Sequence, residues 1–314
     1  MKTLITLAAC GALAMGAAAC GNDDNESSAS SGSGGGDLSG TIKIDGSSTV
    51  APLAQAAQEA FQAENPDVKI TVGTSGTGGG FEKFCAGETD ISNASRPIKD
   101  DEEVPVCDKA GVKYQEIQVS NDGIAVVTNP ELKVDCLTAD QLKKLWNQGS
   151  EVKNLSEIDP KLPDTELSLF GPGTDSGTFD FFTEVINGEE GVSREDYQPS
   201  EDDNILVQGV AGEPGGFAYF GHSYYEQNQD KLNLIKVDGG DGCVEPTTET
   251  IQSGEYKPLS RPLFMYPSDK VLKRPEVKAF MDYILENQQA IAEASQIVPM
   301  NTEQTDKAKT ALGN

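Results

Sequence analysis

The chain has 314 residues, 37% of them hydrophobic, and a formal net charge of −27. That apolar share is enough for one or two packed cores and argues against a disordered chain or a membrane channel, while the charge argues against nucleic acid as a partner. With a single histidine, His222, the chain offers no histidine-built metal site and little choice of imidazole base, so no metal, no cofactor and no catalytic residue is expected.

Met1-Lys2 followed by the apolar stretch 4–19 has the charged start and short hydrophobic run of an export signal, too short and alanine-rich for a spanning helix. Ala17-Ala18-Ala19-Cys20 resembles a lipoprotein processing box, so 1–19 reads as a signal peptide and Cys20 as the lipidated residue. Cys10 also fits such a box but leaves too short an apolar run. Residues 20–40 then form a Gly/Ser/Asp/Asn tether on a lipid anchor, the only expected membrane contact, which places the exported body on the outer face of the cytoplasmic membrane or in the periplasm. In that oxidising space Cys85, Cys107, Cys136 and Cys243 are expected to form two disulfides. Three pairings are open; Cys85–Cys107, which closes a short loop, together with Cys136–Cys243 is the set expected.

Within the body, 41–45 alternates as a strand, Gly46-Ser47-Ser48-Thr49 breaks it, and 50–62 has apolar residues at helical spacing. The pattern returns in the strand 68–72, the Gly/Ser/Thr loop 73–80 and a short helix 81–85, and again in the strand 167–170, the loop 171–178 and a helix 179–186. Alternating strands and helices predict α/β sheets with ligands at the strand ends. Each loop offers free N–H groups and hydroxyls at a helix start, and three converging loops make an anion cradle. None has the spacing GxxxxGK[ST], so nucleotide is not the expected anion. Arg96, in Asp90-Ile91-Ser92-Asn93-Ala94-Ser95-Arg96-Pro97, adds a planar fork that suits a tetrahedral oxyanion.

Two apolar strands, 123–128 and 262–266, flank a central block and read as paired crossings between two lobes, 41–120 plus 259–314 and 121–258, hinged around a ligand. In the first lobe 275–294 reads as one long amphipathic helix.

GSSTVAP (46–52), GTSGTGGG (73–80), DISNASRPI (90–98), SNDGIAVVTNP (120–130), DSGTFDFF (175–182), GGFAYFGHSYY (215–225) and PLSRPLF (258–264) stand in the order found in a known family. By these motifs the chain resembles the phosphate-binding lipoproteins of bacterial ABC transporters, the PstS-like group. The resemblance covers nearly the whole body. It implies a two-lobed, type II periplasmic-binding-protein fold, a monomer that captures inorganic phosphate and delivers it to ABC permease subunits. Carried over by position, Ser48 and Thr49 match the first phosphate loop, Ser75 the second, and Ser176, Gly177 and Thr178 the third. In the best-known branch the position of Arg96 holds an aspartate that accepts the phosphate proton, and an arginine stands four residues before the third-loop serine; here that place is Pro172. The cation is therefore expected at Arg96 and the proton-reading acid elsewhere, at Asp122, beside the first crossing, ahead of Asp175.

Sulfate or molybdate is the alternative ligand. A secreted phosphatase-like enzyme is the rival from another class, but the chain has no GxSxG elbow and only His222 for a triad. Trp146 reads as core, and His222 as a loop residue without assigned chemistry.

Overall fold

The computed structural model describes residues 38–313. The expected signal peptide, the lipidation at Cys20 and the tether up to residue 37 lie outside the described residues.

The first strand, β1 (Gly40–Gly46), lies between β2 (Val68–Val72) and β3 (Ile91–Ala94) and runs parallel to both, with Ile42 opposite Ile70 and Ile44 opposite Ile91. Parallel neighbours need a crossover, and the helix Ala51–Glu64 supplies the one from β1 to β2. Pro52 stands in its first turn, where a missing N–H costs nothing, and Leu53, Ala54, Ala57 and Phe61 form its buried stripe.

The long strand β4 (Ile117–Thr128) is buried along its length except at Gln118, hence its nearly continuous apolar run from Gly123 on. After it come β5 (Cys136–Thr138), β6 (Ser168–Pro172), β7 (Gln198–Ser200), β8 (Gly216–Gly221), β9 (Asn233–Asp238), β10 (Cys243–Val244) and β11 (Ser260–Pro267). The strands follow the order β2-β1-β3-β11-β4-β8-β6-β7, with β9 also on β4 and β5 and β10 on β9. Up to Gly123, β4 pairs antiparallel with β11; from Ile124 onward it pairs with β8 and β9.

Hydrophobic clusters fall on either side of that change of partner. One gathers Ile42, Leu53, Phe61, Ile117, Leu263 and Phe280, with a smaller group around Phe81, Phe84 and Tyr266. Others gather Ile124, Trp146, Phe182, Phe217 and Tyr219 on one face of the later strands and Val127, Phe170, Leu206 and Phe220 on the other. Trp146 is core, edge-on to Phe182, Tyr197 and Tyr219.

Cys85–Cys107 ties the helix Gly76–Cys85 to the helix Val104–Ala110, and Cys136–Cys243 ties β5 to β10, the expected pairing.

Three expectations are corrected. The span 275–294 is two helices, Pro275–Glu286 and Gln288–Ala294, broken at Asn287. Five of the eight residues of the glycine loop 73–80 are helix, because Gly76–Cys85 starts inside it. His222 is buried rather than in an open loop; it opens the helix His222–Glu226, with its Nε2 2.8 Å from the Pro246 carbonyl oxygen.

Candidate functional site

The strand ends of β1, β3 and β11, the start of the helix Gly76–Cys85, and the helix Gly177–Phe182 with the segment that follows it enclose a polar cavity of about 240 Å³. Gly80 brings two of these walls together: a Cβ there would stand 2.5 Å from the Cα of Gly46, so only glycine lets the second helix approach the first loop. Ser47, Ser48 and Thr49 line one wall, and Ser75, Gly76, Thr77, Gly78 and Gly79 another. The first N–H groups of a helix have no intrahelical partner, which leaves donors at the start of Gly76–Cys85.

The loop hydroxyls differ in how far they are already engaged. Neither Ser48 nor Thr49 caps the helix that follows, whose N-cap Val50 accepts no side-chain bond. Ser48 Oγ lies 3.5 Å from Asp180 Oδ2, and Thr49 Oγ1 accepts a 2.9 Å hydrogen bond from Arg261 Nη2. Ser75 donates both its N–H and its hydroxyl to Asp45 Oδ1, at 3.0 and 2.7 Å, while Lys83 holds the other Asp45 oxygen at 2.6 Å. Burial works against ionisation of Asp45, but the bonds from Lys83 and Ser75 outweigh it and hold the carboxyl below its ordinary range. Thr77 and Ser95 pair through their hydroxyls at 3.0 Å.

Arg96 lines the cavity as expected, but its fork already grips a carboxylate: Nη1 and Nη2 donate to the two oxygens of Glu103 at 2.9 and 2.7 Å. This bidentate pair raises the arginine's pKa. The third loop touches the first at Thr49 but does not line this cavity. Asp175, Ser176, Gly177 and Thr178, together with Asp122, line an adjoining cavity of about 300 Å³ that shares Ser48 and Thr49 with the first. Ser176 caps the helix Gly177–Phe182 by accepting from the Thr178 N–H at 3.2 Å, and exposed Asp175 donates its N–H to Glu201. Asp122 is not an open carboxylate: its Oδ2 accepts from Arg261 Nε at 3.2 Å, with both side chains buried.

The residue missed by sequence reasoning is Arg261. It enters from β11, stacks 3.8 Å over the Phe181 ring, pairs with Asp122, and reaches both Thr49 Oγ1 and the Gly177 carbonyl oxygen. Burial pulls its pKa down, against the opposing pull of Asp122. The available signal was an arginine directly preceding an apolar crossing strand. Asp180 was missed as well, a lone acid in Thr178-Phe179-Asp180-Phe181-Phe182. Burial first, then the charge of Glu190, pushes its carboxyl up to about 6 against the opposing pull of Arg261 and Ser48.

Two arginines, free helix N–H groups and a ring of hydroxyls can bind a small oxyanion without a counter-ion. Among the described residues no group of three or more His, Cys, Asp or Glu is placed to hold a metal ion.

The sequence model described as PBP superfamily domain matches residues 31–288. Protein SphX of Synechococcus elongatus is 43% identical over 262 residues, 82% of this chain and 77% of that protein. The phosphate-binding protein PstS of Staphylococcus saprophyticus is 41% identical over 314 residues, 96% of this chain and 94% of that one. The crystal structure of a possible phosphate-binding protein from Planctomyces limnophilus, 46% identical, superposes with a TM-score of 0.84 over 88% of this chain and 98% of its own. An ABC-type phosphate transport receptor from Vibrio cholerae, 18% identical with a TM-score of 0.66, shares the fold. The chain thus belongs to the PBP superfamily, with SphX and the PstS phosphate-binding proteins as relatives.

Proposed function

We propose that this protein captures inorganic phosphate between two lobes and delivers it to an ABC permease, from an envelope position fixed by lipid on Cys20. The observation that carries the reading is the small cavity where two arginines, helix N–H groups and hydroxyls converge, in a chain 41% identical to a phosphate-binding protein over nearly its whole length. The lobes proposed are 41–120 plus 259–314 and 121–258. In support, β4 changes partner between Gly123 and Ile124, and the hydrophobic clusters divide at the same place. Among the described residues no helix is long and apolar enough to cross a membrane, so membrane attachment in this proposal falls to the acyl chain.

Phosphate is taken between Ser48 and Thr49 on one side and the loop 75–79 on the other, with Arg96 and Arg261 neutralising its charge. Glu103 acts on Arg96 as a positioning group, its two oxygens fixing the orientation of the guanidinium at the cavity wall. Ser176, Gly177 and Thr178 meet the first loop at Thr49 and complete the enclosure as the lobes close. The acid coat repels an anion at long range, so capture depends on these short-range donors.

Calorimetric titration of the purified chain with phosphate, sulfate, molybdate and arsenate tests the reading. One phosphate per chain, with sulfate and molybdate far weaker, is expected; tighter sulfate or molybdate binding refutes it. Steady product release from a chromogenic phosphate ester would instead make the protein an enzyme. Arg96→Ala should weaken phosphate roughly thirtyfold or more, and Arg96→Lys recover part of the loss.

A further inference from the structure

Ser75 lines the cavity, yet its polar hydrogens are spent behind the wall. Asp45, near the cavity end of β1, takes both the N–H and the hydroxyl proton of Ser75 on one oxygen, and Lys83, from the last turn of the helix Gly76–Cys85, grips the other. Asp45 does not itself line the cavity, and its side chain is only 14% exposed. Two glycines make room for this arrangement. A Cβ on Gly73 would stand 2.5 Å from Asp45 Oδ2, and one on Gly79 would stand 3.1 Å from Ser75 Oγ.

Ser75 occupies the N-cap of that helix, where a serine ordinarily accepts a hydrogen bond from the second or third N–H of the first turn. It makes no such bond: its backbone is close to helical, at ψ 12°, and its hydroxyl is turned to Asp45. Ser176, at the same place on the helix Gly177–Phe182, is extended at ψ 127° and caps the Thr178 N–H. One N-cap serine is used as a cap and the other is held off. The N–H groups of Thr77 and Gly78, which a cap at Ser75 would engage, belong to residues that line the cavity, and they are left for an anion.

We propose that Asp45 is a positioning residue of the anion site: it holds Ser75 off its own helix, so that the ligand rather than the serine caps Gly76–Cys85. The proposal rests on the phosphate reading above. Lys83 balances the charge of Asp45, so the acid behind the wall does not repel the ligand in front of it. Ser75 is not a donor to the ligand in this arrangement, because its single hydroxyl proton is on Asp45 and only lone pairs remain on that oxygen.

The test is calorimetric titration with phosphate of the wild-type chain, Asp45→Ala, Asp45→Asn and the double variant Asp45→Ala with Ser75→Ala, each checked by a thermal melt. In Asp45→Ala the freed serine can turn and cap its helix, and phosphate affinity should fall about tenfold. Asp45→Asn keeps an acceptor for Ser75 and should stay within about threefold of wild type. The double variant also removes the competing hydroxyl and should recover most of the loss, a gain on a second deletion that damage to the fold cannot produce. Hydrogen exchange followed by NMR reads the same groups in the wild-type chain, where phosphate should slow the amides of Thr77 and Gly78 about tenfold or more. Wild-type affinity in Asp45→Ala, or a double variant as weak as Asp45→Ala, overturns this inference and leaves the phosphate reading in place. So does exchange at Thr77 and Gly78 that bound phosphate does not slow, a measurement that needs no variant to fold. Wild-type protein that binds no phosphate overturns the phosphate reading and this inference with it.

Discussion

Arg261 and Asp122 are separated by 139 residues in sequence yet pair with side chains only 11% and 7% exposed, across the ladder between β11 and β4. Replacing Arg261 by methionine keeps an apolar side chain on the Phe181 ring but leaves Asp122 buried and unpaired. Breaking a buried pair from one side costs about 3–5 kcal/mol, and Thr49 Oγ1 and the Gly177 carbonyl oxygen also lose their donor. Asp122→Asn should cost less, about 1–3 kcal/mol, because Asp180 and Glu184 still offset the arginine's charge. The double variant has no unpaired charge and should return to within roughly 2 kcal/mol of wild type, a coupling of at least about 2 kcal/mol. Urea unfolding with the disulfides intact, followed by Trp146 fluorescence and far-UV circular dichroism, measures all four proteins. Calorimetry with phosphate separates stability from binding: the double variant should be stable yet bind at least a hundredfold more weakly, since the cavity has lost one of its two cations. Arg261→Met within 1 kcal/mol of wild type, or a double variant no more stable than that single one, would refute the argument that the pair is structurally coupled. Wild-type affinity in the double variant would remove Arg261 from the site.

Gly177→Ala would drive a Cβ onto Thr49 Oγ1 and to 2.8 Å from the Thr49 backbone nitrogen, so the first and third loops must separate. Phosphate affinity should fall about tenfold or more with a smaller change in stability, as read by calorimetry and a thermal melt. Cys136→Ser with Cys243→Ser removes a bridge spanning 107 residues and should cost about 2–4 kcal/mol in urea, more than loss of the 22-residue Cys85–Cys107 link on loop entropy alone. The raised pKa of Asp180 means that folding favours its neutral form: that stabilisation is complete below the unfolded value of 3.8 and is lost as the pH rises through about 6. Asp180→Asn should therefore raise stability by about 1 kcal/mol at pH 7.5, after allowance for solvent screening, and change it little near pH 4; a variant less stable than wild type at pH 7.5 would contradict this.

The elements built on local pattern were legible from the chain alone. The alternation of Ile42 with Ile44 and of Val68 with Ile70, each followed by a hydroxyl loop and a helix, follows from side-chain periodicity that needs no distant partner. The Cys85–Cys107 bridge was favoured because its loop is short. Local propensity failed at Gly76, Gly78, Gly79 and Gly80, which read as loop yet belong to a helix; of the four it is Gly80 that presses against Gly46, where a Cβ would not fit. The charged site was the least legible part. Arg96 could be named as a cation, but its capture by Glu103 depends on how the turn between them folds. Asp122 was expected to be an open acceptor and is instead closed by an arginine from the far end of the chain. Whether a carboxylate is free or paired is set by the charges the fold brings within a few ångströms, and those come from residues distant in sequence. The chain alone thus determined the class of site, an oxyanion cradle of hydroxyls and helix starts, while the tertiary structure decided which cations and which acid face it.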